Sequence, residues 1–133
     1  MTRYMLDTNI ASWLLKAQAN VVARVKATAP EQLCLSAVTE GELLYGVARR
    51  PGARKLSAIV DELLSPIEVL PWTSATARRY GTIRAELEKR GKALAPLDLM
   101  IAAHAVESDA VLATSDRAFQ MVPALRIEDW TAA

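Results

Sequence analysis

Short apolar runs alternate with longer amphipathic segments along the chain. The apolar runs have the length of buried strands and end at proline, glycine or polar residues. We predict strands over residues 3–6, 32–35, 67–70, 110–114 and 125–127. Because strands separated by helices usually form a parallel sheet with helices on both faces, the pattern predicts an α/β fold. We expect three layers, α/β/α, around a central, mostly parallel sheet.

The segments between these runs space their apolar residues as helices do. We predict helices over residues 10–16, 21–28, 37–48, 53–64, 74–90 and 97–106. Thr8 or Asn9 is expected to cap the first helix and Ser36 the third. Pro96 suits the first turn of the last helix, and Gly91 suits the residue that follows the fifth.

Composition favours one globular domain, residues 1–133. The cysteine content suits a reducing cytoplasm. Of the 133 residues, 52% are hydrophobic and 23% are charged, which is enough for a single core. The formal net charge of +1 argues against a protein that binds polyanions with its whole surface, although a local basic groove is compatible with it. The single cysteine, Cys34, lies in an apolar run and forms no internal disulfide. We expect no signal peptide and no membrane span.

Four acidic residues stand in positions that suit a shared site. Asp7 and Asp116 each follow a predicted strand, and parallel strands bring their carboxyl ends to one edge of the sheet, where α/β proteins bind ligands. Asp98 heads an apolar stripe of the last helix, and Glu42 lies inside the third helix. Each acid also has a simpler explanation, since Asp7 and Asp98 are suited to helix capping and Glu42 to solvent exposure.

Gly46 shares one face of the third helix with Thr39, Glu42 and Leu43. Glycine destabilises a helix by about 1 kcal/mol relative to alanine. The glycine therefore predicts that another group packs close to this face, and an incidental glycine is the alternative.

A cluster of acids requires a cation. Two carboxylates about 4 Å apart repel by roughly 4 kcal/mol at an effective dielectric constant of about 20. Oxygen ligands without histidine or cysteine select Mg²⁺ or Mn²⁺ over zinc and copper, and such a metal activates water for attack on a phosphodiester. The hydroxyl and amide side chains expected to orient the acids and the water are Thr8, Asn9, Thr39, Thr114 and Ser115.

The other charged features are a basic turn and one histidine. The turn holds four cations, Arg49, Arg50, Arg54 and Lys55, which can contact phosphate, although such a run is more often a solvated turn. His104 does not share the helical face of Asp98, so we do not expect it to bind metal or act as a general base.

Four motifs together resemble those of the PIN-domain ribonucleases, and most closely those of the VapC toxins of bacterial toxin–antitoxin modules, with FitB-type proteins nearby. The resemblance covers essentially the whole chain. The motifs are Asp7-Thr8-Asn9, Ser36-x-x-Thr39-x-x-Glu42-Leu43-x-x-Gly46, Pro96-Leu97-Asp98-x-x-Ile101-Ala102-Ala103-His104-Ala105 and Thr114-x-Asp116-x-x-Phe119.

The resemblance implies a PIN domain with Mg²⁺-dependent endoribonuclease activity, often directed at tRNA or rRNA. It implies that Asp7, Glu42, Asp98 and Asp116 form the catalytic quartet. Asp7 and Asp98 are then the direct ligands of Mg²⁺ or Mn²⁺, and Glu42 and Asp116 contribute through water. The resemblance also implies a homodimer that a VapB-type antitoxin silences.

Other function classes fit the sequence less well. A catalytically silent PIN module that binds RNA or a protein partner is the main alternative, and the four intact acids argue against it. A haloacid-dehalogenase-like phosphatase needs a second aspartate two residues after the first, where this chain has Asn9. A nucleotide-binding fold needs a glycine-rich loop after the first strand, and none follows here.

Overall fold

A five-stranded sheet lies at the centre of the computed structural model, which describes residues 1–132. The strands are β1 (Arg3–Leu6), β2 (Leu33–Ser36), β3 (Glu68–Leu70), β4 (Ala110–Ala113) and β5 (Ile127–Glu128). All pairings between them are parallel, in the order β3-β2-β1-β4-β5. The prediction of a parallel α/β sheet is confirmed, and β1 is its central strand.

Helices connect the strands throughout. They are α1 (Thr8–Leu15), α2 (Ala19–Lys26), α3 (Ala37–Ala48), α4 (Arg54–Leu64), α5 (Ser74–Lys89) and α6 (Pro96–Glu107), with short 3-10 helices at Pro30–Gln32 and Arg117–Met121. The predicted helices and strands are all present, although several ends differ by one or two residues. Within residues 1–132, no helix combines the length and apolar character needed to cross a bilayer.

Both faces of the sheet are apolar. Met5 and Leu6 are consecutive in β1, so their side chains point to opposite faces. Met5 belongs to a buried cluster with Leu112 and with residues of α5 and α6. Leu6 belongs to a second buried cluster with Leu35 and with residues of α1, α2, α3 and α4. The sheet therefore separates two helical layers, which confirms the three-layer prediction.

Two helix starts at the carboxyl edge of the sheet depend on side-chain caps. Asp7 caps α1, since its carboxylate accepts a hydrogen bond from the Ile10 N–H at 2.8 Å. The expectation that Thr8 or Asn9 caps this helix is wrong, because the helix begins at Thr8 and Asp7 occupies the cap. Ser36 caps α3 as predicted and accepts a hydrogen bond from the Val38 N–H at 3.1 Å.

Gly46 lies on an open part of the α3 surface. Among the residues that the structure describes, no heavy atom beyond the neighbouring backbone lies within 4 Å of where a Cβ atom of residue 46 would stand. The prediction that another group packs close to Gly46 is therefore wrong. The glycine instead lines a groove beside the acidic residues.

Candidate active site

Asp7 is buried at the carboxyl end of the central strand. Leu6 pairs with Ala113 across β1 and β4, so Asp7 and Thr114 leave the sheet side by side. Asp7 is only 3% exposed, and its carboxylate accepts hydrogen bonds from the Ile10 N–H and the Thr114 hydroxyl. Burial outweighs these hydrogen bonds and raises the pKa of Asp7 from 3.8 to about 6. Ionised Asp7 is therefore costly in the folded protein unless a cation is near.

Glu42 reaches from α3 toward the start of α1. The Thr8 hydroxyl donates a hydrogen bond to the Glu42 carboxylate, with 2.6 Å between Oγ1 and Oε1. The same hydroxyl lies 3.4 Å from the buried Thr39 hydroxyl, which is one turn before Glu42 in α3. Because Thr8 directly follows Asp7, this hydrogen bond holds Glu42 beside the end of β1.

Asp98 and Asp116 lie beyond β1, in the first turn of α6 and just after β4. Asp116 caps the 3-10 helix that follows, where its carboxylate accepts the Ala118 N–H at 2.9 Å. The Asp116 N–H donates to Thr114 Oγ1 at 3.0 Å, so Thr114 contacts both Asp7 and Asp116. Burial raises the pKa of Asp98, and the negative charges of Asp116 and Glu42 raise it further.

Electrostatic repulsion links the four acids. Asp98 and Asp116 both raise the pKa of Asp7, in addition to the effect of its burial, and Glu42 acts on Asp98. Within residues 1–132, the ion pairs all involve other carboxylates. The acids thus lie within electrostatic reach of one another, and no described lysine or arginine is in ion-pair contact with them. Their catalytic and metal-binding roles stay predictions.

The donor set fits a hard divalent cation. Across residues 1–132, no three histidine, cysteine, aspartate or glutamate side chains are arranged as a preformed metal cage. Mg²⁺ does not require such a cage, because it usually keeps several waters and takes one or two carboxylates directly. Burial and mutual repulsion raise the pKa values of Asp7 and Asp98, and a bound cation would relieve both effects.

The predicted orienting residues fall into two groups. Thr8, Thr39 and Thr114 are in the network around the acids. Asn9 and Ser115 are exposed, and within the described part of the chain their side chains form no hydrogen bonds. An orienting role is therefore supported by contacts for the three threonines only.

The predicted RNA-binding cations also divide. Arg49 and Arg50 line a groove of about 460 Å³ that also contains Thr8 and Glu42. Arg54 and Lys55 are exposed at the start of α4 and do not line this groove. The sequence places all four cations near one turn. In the structure, only Arg49 and Arg50 line the groove.

His104 joins three segments of the buried structure. Its Nδ1 atom lies 2.7 Å from Ser36 Oγ, at the start of α3. The backbone of Pro71 takes part in a second hydrogen bond, and because proline has no N–H, its carbonyl accepts from the ring. The Trp72 ring packs edge-on against His104 at 5.7 Å. Burial lowers the pKa of His104, and the buried ring links α6, which carries Asp98, to α3, which carries Glu42.

Sequence reasoning did not find this link, since no local pattern pairs Ser36 with His104. We expect Ser36→Ala to lower the free energy of unfolding by about 2 kcal/mol, because it removes a helix cap and leaves a buried ring nitrogen without its partner. Urea unfolding measures the change. Ser74→Ala, at an exposed position in α5, is the matched control and should change stability by less than about 0.5 kcal/mol. Equal stabilities of the two variants would contradict a stabilising role for the Ser36 hydroxyl.

Comparison with known proteins agrees with this geometry. The PIN domain family model matches residues 4–125. A tRNA(fMet)-specific endonuclease VapC from Shigella flexneri is 36% identical over 132 residues, which cover 98% of this chain and 100% of that protein. A chain of DNA-bound VapBC from Salmonella typhimurium is similar with a TM-score of 0.92 and 35% identity, covering 98% of this chain and 99% of that chain.

A chain of VapBC2 from Rickettsia felis, solved with a fragment of its promoter DNA, has a TM-score of 0.90 at 28% identity and covers 97% of this chain and 99% of that chain. These similarities extend over nearly the full length of the chain, including the segments that carry the four acids. The chain therefore belongs to the PIN-domain family, among the VapC ribonucleases.

Proposed function

We propose that this protein is a Mg²⁺-dependent endoribonuclease toxin of a toxin–antitoxin module and that it hydrolyses phosphodiester bonds in tRNA. The observation that carries the proposal is the grouping of Asp7, Glu42, Asp98 and Asp116 at one sheet edge without an ion-pair partner among residues 1–132. Acids alone repel a phosphodiester, so their grouping is useful for this chemistry only with a divalent cation.

Asp7 and Asp98 would hold Mg²⁺ or Mn²⁺ directly, and Glu42 and Asp116 would reach it through water. When bound, such an ion supplies positive charge and Lewis acidity beside the scissile phosphate. The protein itself orients the acids. Thr114 holds Asp7 and Asp116, while Thr8 holds Glu42. These hydrogen bonds restrict the carboxylate rotamers, and such support of metal ligands typically changes affinity or activity by about 10- to 100-fold.

The name of one relative favours tRNA as the substrate class. The Shigella flexneri protein, similar over its whole length, is named as specific for tRNA(fMet). We therefore propose tRNA over rRNA, with initiator tRNA as the first substrate to test.

The purified protein should cut initiator tRNA at one position in the presence of Mg²⁺ or Mn²⁺, because the acids then have their cation. Mapping of the RNA ends measures the position, and EDTA should abolish the cut. Elongator tRNA and ribosomal RNA are the comparison substrates. If RNA is bound but never cut with either ion, the protein is a silent PIN module and the enzyme proposal fails.

We also propose a homodimer that acts in the cytoplasm and is inhibited by a VapB-type antitoxin. The matched structures from Salmonella typhimurium and Rickettsia felis are VapBC complexes. A basic side chain of a partner protein would be attracted to the four acids for the same electrostatic reason as a metal ion. Size-exclusion chromatography with light scattering, with and without the protein encoded beside this one, tests both associations.

A further inference from the structure

Two of the four acids belong to different helices, so the distance between them depends on how those helices are held together. Glu42 lies in α3, and Asp98 lies in the first turn of α6. Their carboxylates interact, since the charge of Glu42 raises the pKa of Asp98. Mg²⁺ requires near-ideal octahedral geometry, with ligands at about 2.0–2.1 Å. A small displacement of α6 relative to α3 would therefore alter a metal site that uses both acids.

Apolar packing holds α6 on the sheet but does not by itself fix its position along the sheet. The buried apolar side chains of this helix are mostly small, and small side chains form shallow ridges that interlock weakly with a neighbour. They are Leu99, Ile101, Ala102, Ala103 and Ala105. Burial of apolar surface is also non-directional. The position of α6 therefore depends on a directional contact.

His104 provides a directional contact between α6 and the start of α3. It is the polar residue on the buried face of α6. Its Nδ1 atom lies 2.7 Å from the Oγ atom of Ser36, which is also buried. The same hydroxyl oxygen caps α3 by accepting the Val38 N–H at 3.1 Å. One hydroxyl group therefore joins the ring on α6 to the first turn of α3.

The segment after β3 holds the same ring from another side. The Pro71 carbonyl accepts a hydrogen bond from the imidazole. The Trp72 ring packs edge-on against it, with 5.7 Å between the ring centroids. We call Ser36, Pro71, Trp72 and His104 the histidine junction. Because contacts from two other segments hold one planar ring, the junction restrains α6 against both sliding and rotation.

The histidine junction is close to both acids along the chain. Ser36 precedes Glu42 by six residues, and His104 follows Asp98 by six residues. At a rise of 1.5 Å per residue, each acid lies about 9 Å along its helix from the junction, which is less than two turns. Both intervening segments are helical. A displacement at the junction is therefore carried to the acids.

We propose that the hydrogen bond between Ser36 and His104 is a positioning contact for the metal site, which sets the place of Asp98 relative to Glu42 and thereby the affinity for Mg²⁺ or Mn²⁺. The inference rests on the proposed ribonuclease function, because that function assigns a divalent cation to these acids. His104 contacts neither the ion nor the RNA in this assignment. It acts only through α6.

NMR of the metal-free protein tests whether the hydrogen bond forms. His104 is the only histidine in the chain, so its ring nitrogen signals are assigned directly. Ser36→Ala should shift the Nδ1 signal, because the hydroxyl in contact with Nδ1 is removed. Val21→Ala is the control, since Val21 is buried in α2 and belongs to the apolar cluster on the other face of the sheet. An Nδ1 signal that is the same in Ser36→Ala and in wild type would overturn the proposal.

Calorimetric titration with Mn²⁺, at a temperature at which every variant is folded, measures the effect on the metal site. Ser36→Ala and His104→Leu should each weaken Mn²⁺ binding about tenfold, at the lower end of the roughly 10- to 100-fold range for groups that orient metal ligands. Val21→Ala also loses buried contacts, but it should bind Mn²⁺ within about twofold of wild type. His104→Asn places an amide group near the Nδ1 position, so it keeps a partner for Ser36 and should recover most of the affinity.

The double variant Ser36→Ala/His104→Leu separates positioning from stability. Replacing both partners of a buried hydrogen bond by apolar groups costs little, whereas leaving one partner alone is expensive. In urea unfolding the double variant should therefore be no less stable than His104→Leu. Its Mn²⁺ affinity should nevertheless stay about tenfold below wild type, because both substitutions remove the same hydrogen bond and their effects do not add. Mn²⁺ affinity that simply follows stability across these variants would mean a purely structural contact and would overturn the proposal.

The two proposals fail separately. Wild-type protein that cuts RNA with Mn²⁺, together with variants that all bind Mn²⁺ like wild type, contradicts only the positioning role. Protein that loses Mn²⁺ affinity in Ser36→Ala and His104→Leu, but cuts no RNA, contradicts only the ribonuclease proposal. Wild-type protein that binds no Mn²⁺ contradicts both.

Discussion

Asp98→Asn is expected to lower kcat/KM for metal-dependent RNA cleavage about a thousandfold while the protein stays folded. The substitution removes one negative charge and one strong oxygen ligand from the acidic cluster, and loss of a single preorganised group at such a site commonly costs about 100- to 1,000-fold in rate. The fold should survive because asparagine has nearly the same shape. Asparagine interacts less favourably than aspartate with the α6 dipole, at a cost of at most about 1 kcal/mol. The lower repulsion from Asp116 and Glu42 offsets this cost.

Initial rates on the tRNA substrate measure the effect, and circular dichroism with thermal unfolding checks the fold. Glu31→Gln is the matched control. This glutamate is exposed before β2, at the opposite edge of the sheet, so neutralising it should leave the rate within about twofold. A folded Asp98→Asn variant that cleaves like wild type would remove Asp98 from the metal site.

Asp7→Asn is expected to stabilise the metal-free protein by about 3 kcal/mol at neutral pH. Folding raises the pKa of Asp7 from 3.8 to about 6, so ionised Asp7 is less favourable in the folded chain than in the unfolded chain. The unfolded state loses its proton first as pH rises. The penalty is therefore absent well below about pH 4, grows between about pH 4 and pH 6, and is constant above that.

Asparagine avoids the penalty and keeps the helix cap. It is as good an N-cap as aspartate, so its side-chain oxygen is expected to accept the Ile10 N–H. Urea unfolding in EDTA across this pH range measures the difference, which should shrink to below about 1 kcal/mol near pH 4. Glu31→Gln, at an exposed position, is the control and should change the free energy of unfolding by less than about 0.5 kcal/mol. A stability gain that is equal at all pH values would mean that ionisation of Asp7 is not its cause.

Added metal should make the wild-type protein more stable than Asp7→Asn. Mg²⁺ or Mn²⁺ bound only to the folded state stabilises it by mass action, by about 4.1 kcal/mol at a thousand times the dissociation constant. We expect a rise in Tm for wild type and little change for Asp7→Asn, since the variant lacks a direct ligand. Differential scanning fluorimetry with a metal titration tests this. Equal shifts for both proteins would place the metal away from Asp7.

Most of the fold follows from local patterns in the chain. Each strand is a short apolar run, and each helix has its own periodicity, so their order already implies a parallel sheet between two helical layers. The predicted ends of the helices and strands were less accurate, because a single side chain can determine where an element begins. The helix α1 starts at Thr8 because Asp7 caps it, and α2 starts at Ala19 because the Gln18 side chain accepts the Val21 N–H.

The prediction that another group packs close to Gly46 was wrong for a different reason. Helical spacing shows that Thr39, Glu42 and Gly46 share a face, but it contains no information on what lies opposite that face. In the structure, Thr39 meets Thr8, whereas Gly46 meets open space. The same face of α3 is therefore packed near Thr39 and open near Gly46. The positions of α1 and α4 determine where along the helix this change occurs.

By itself, the sequence determined the α/β class, the order of the elements and the four candidate acids, because strand ends, helical faces and residue types are local properties. The tertiary structure decided which hydroxyls hold those acids, how far burial raises the pKa of Asp7, and that Ser36 meets His104. Those properties depend on distances between residues far apart in the chain, and on the water that folding removes between them.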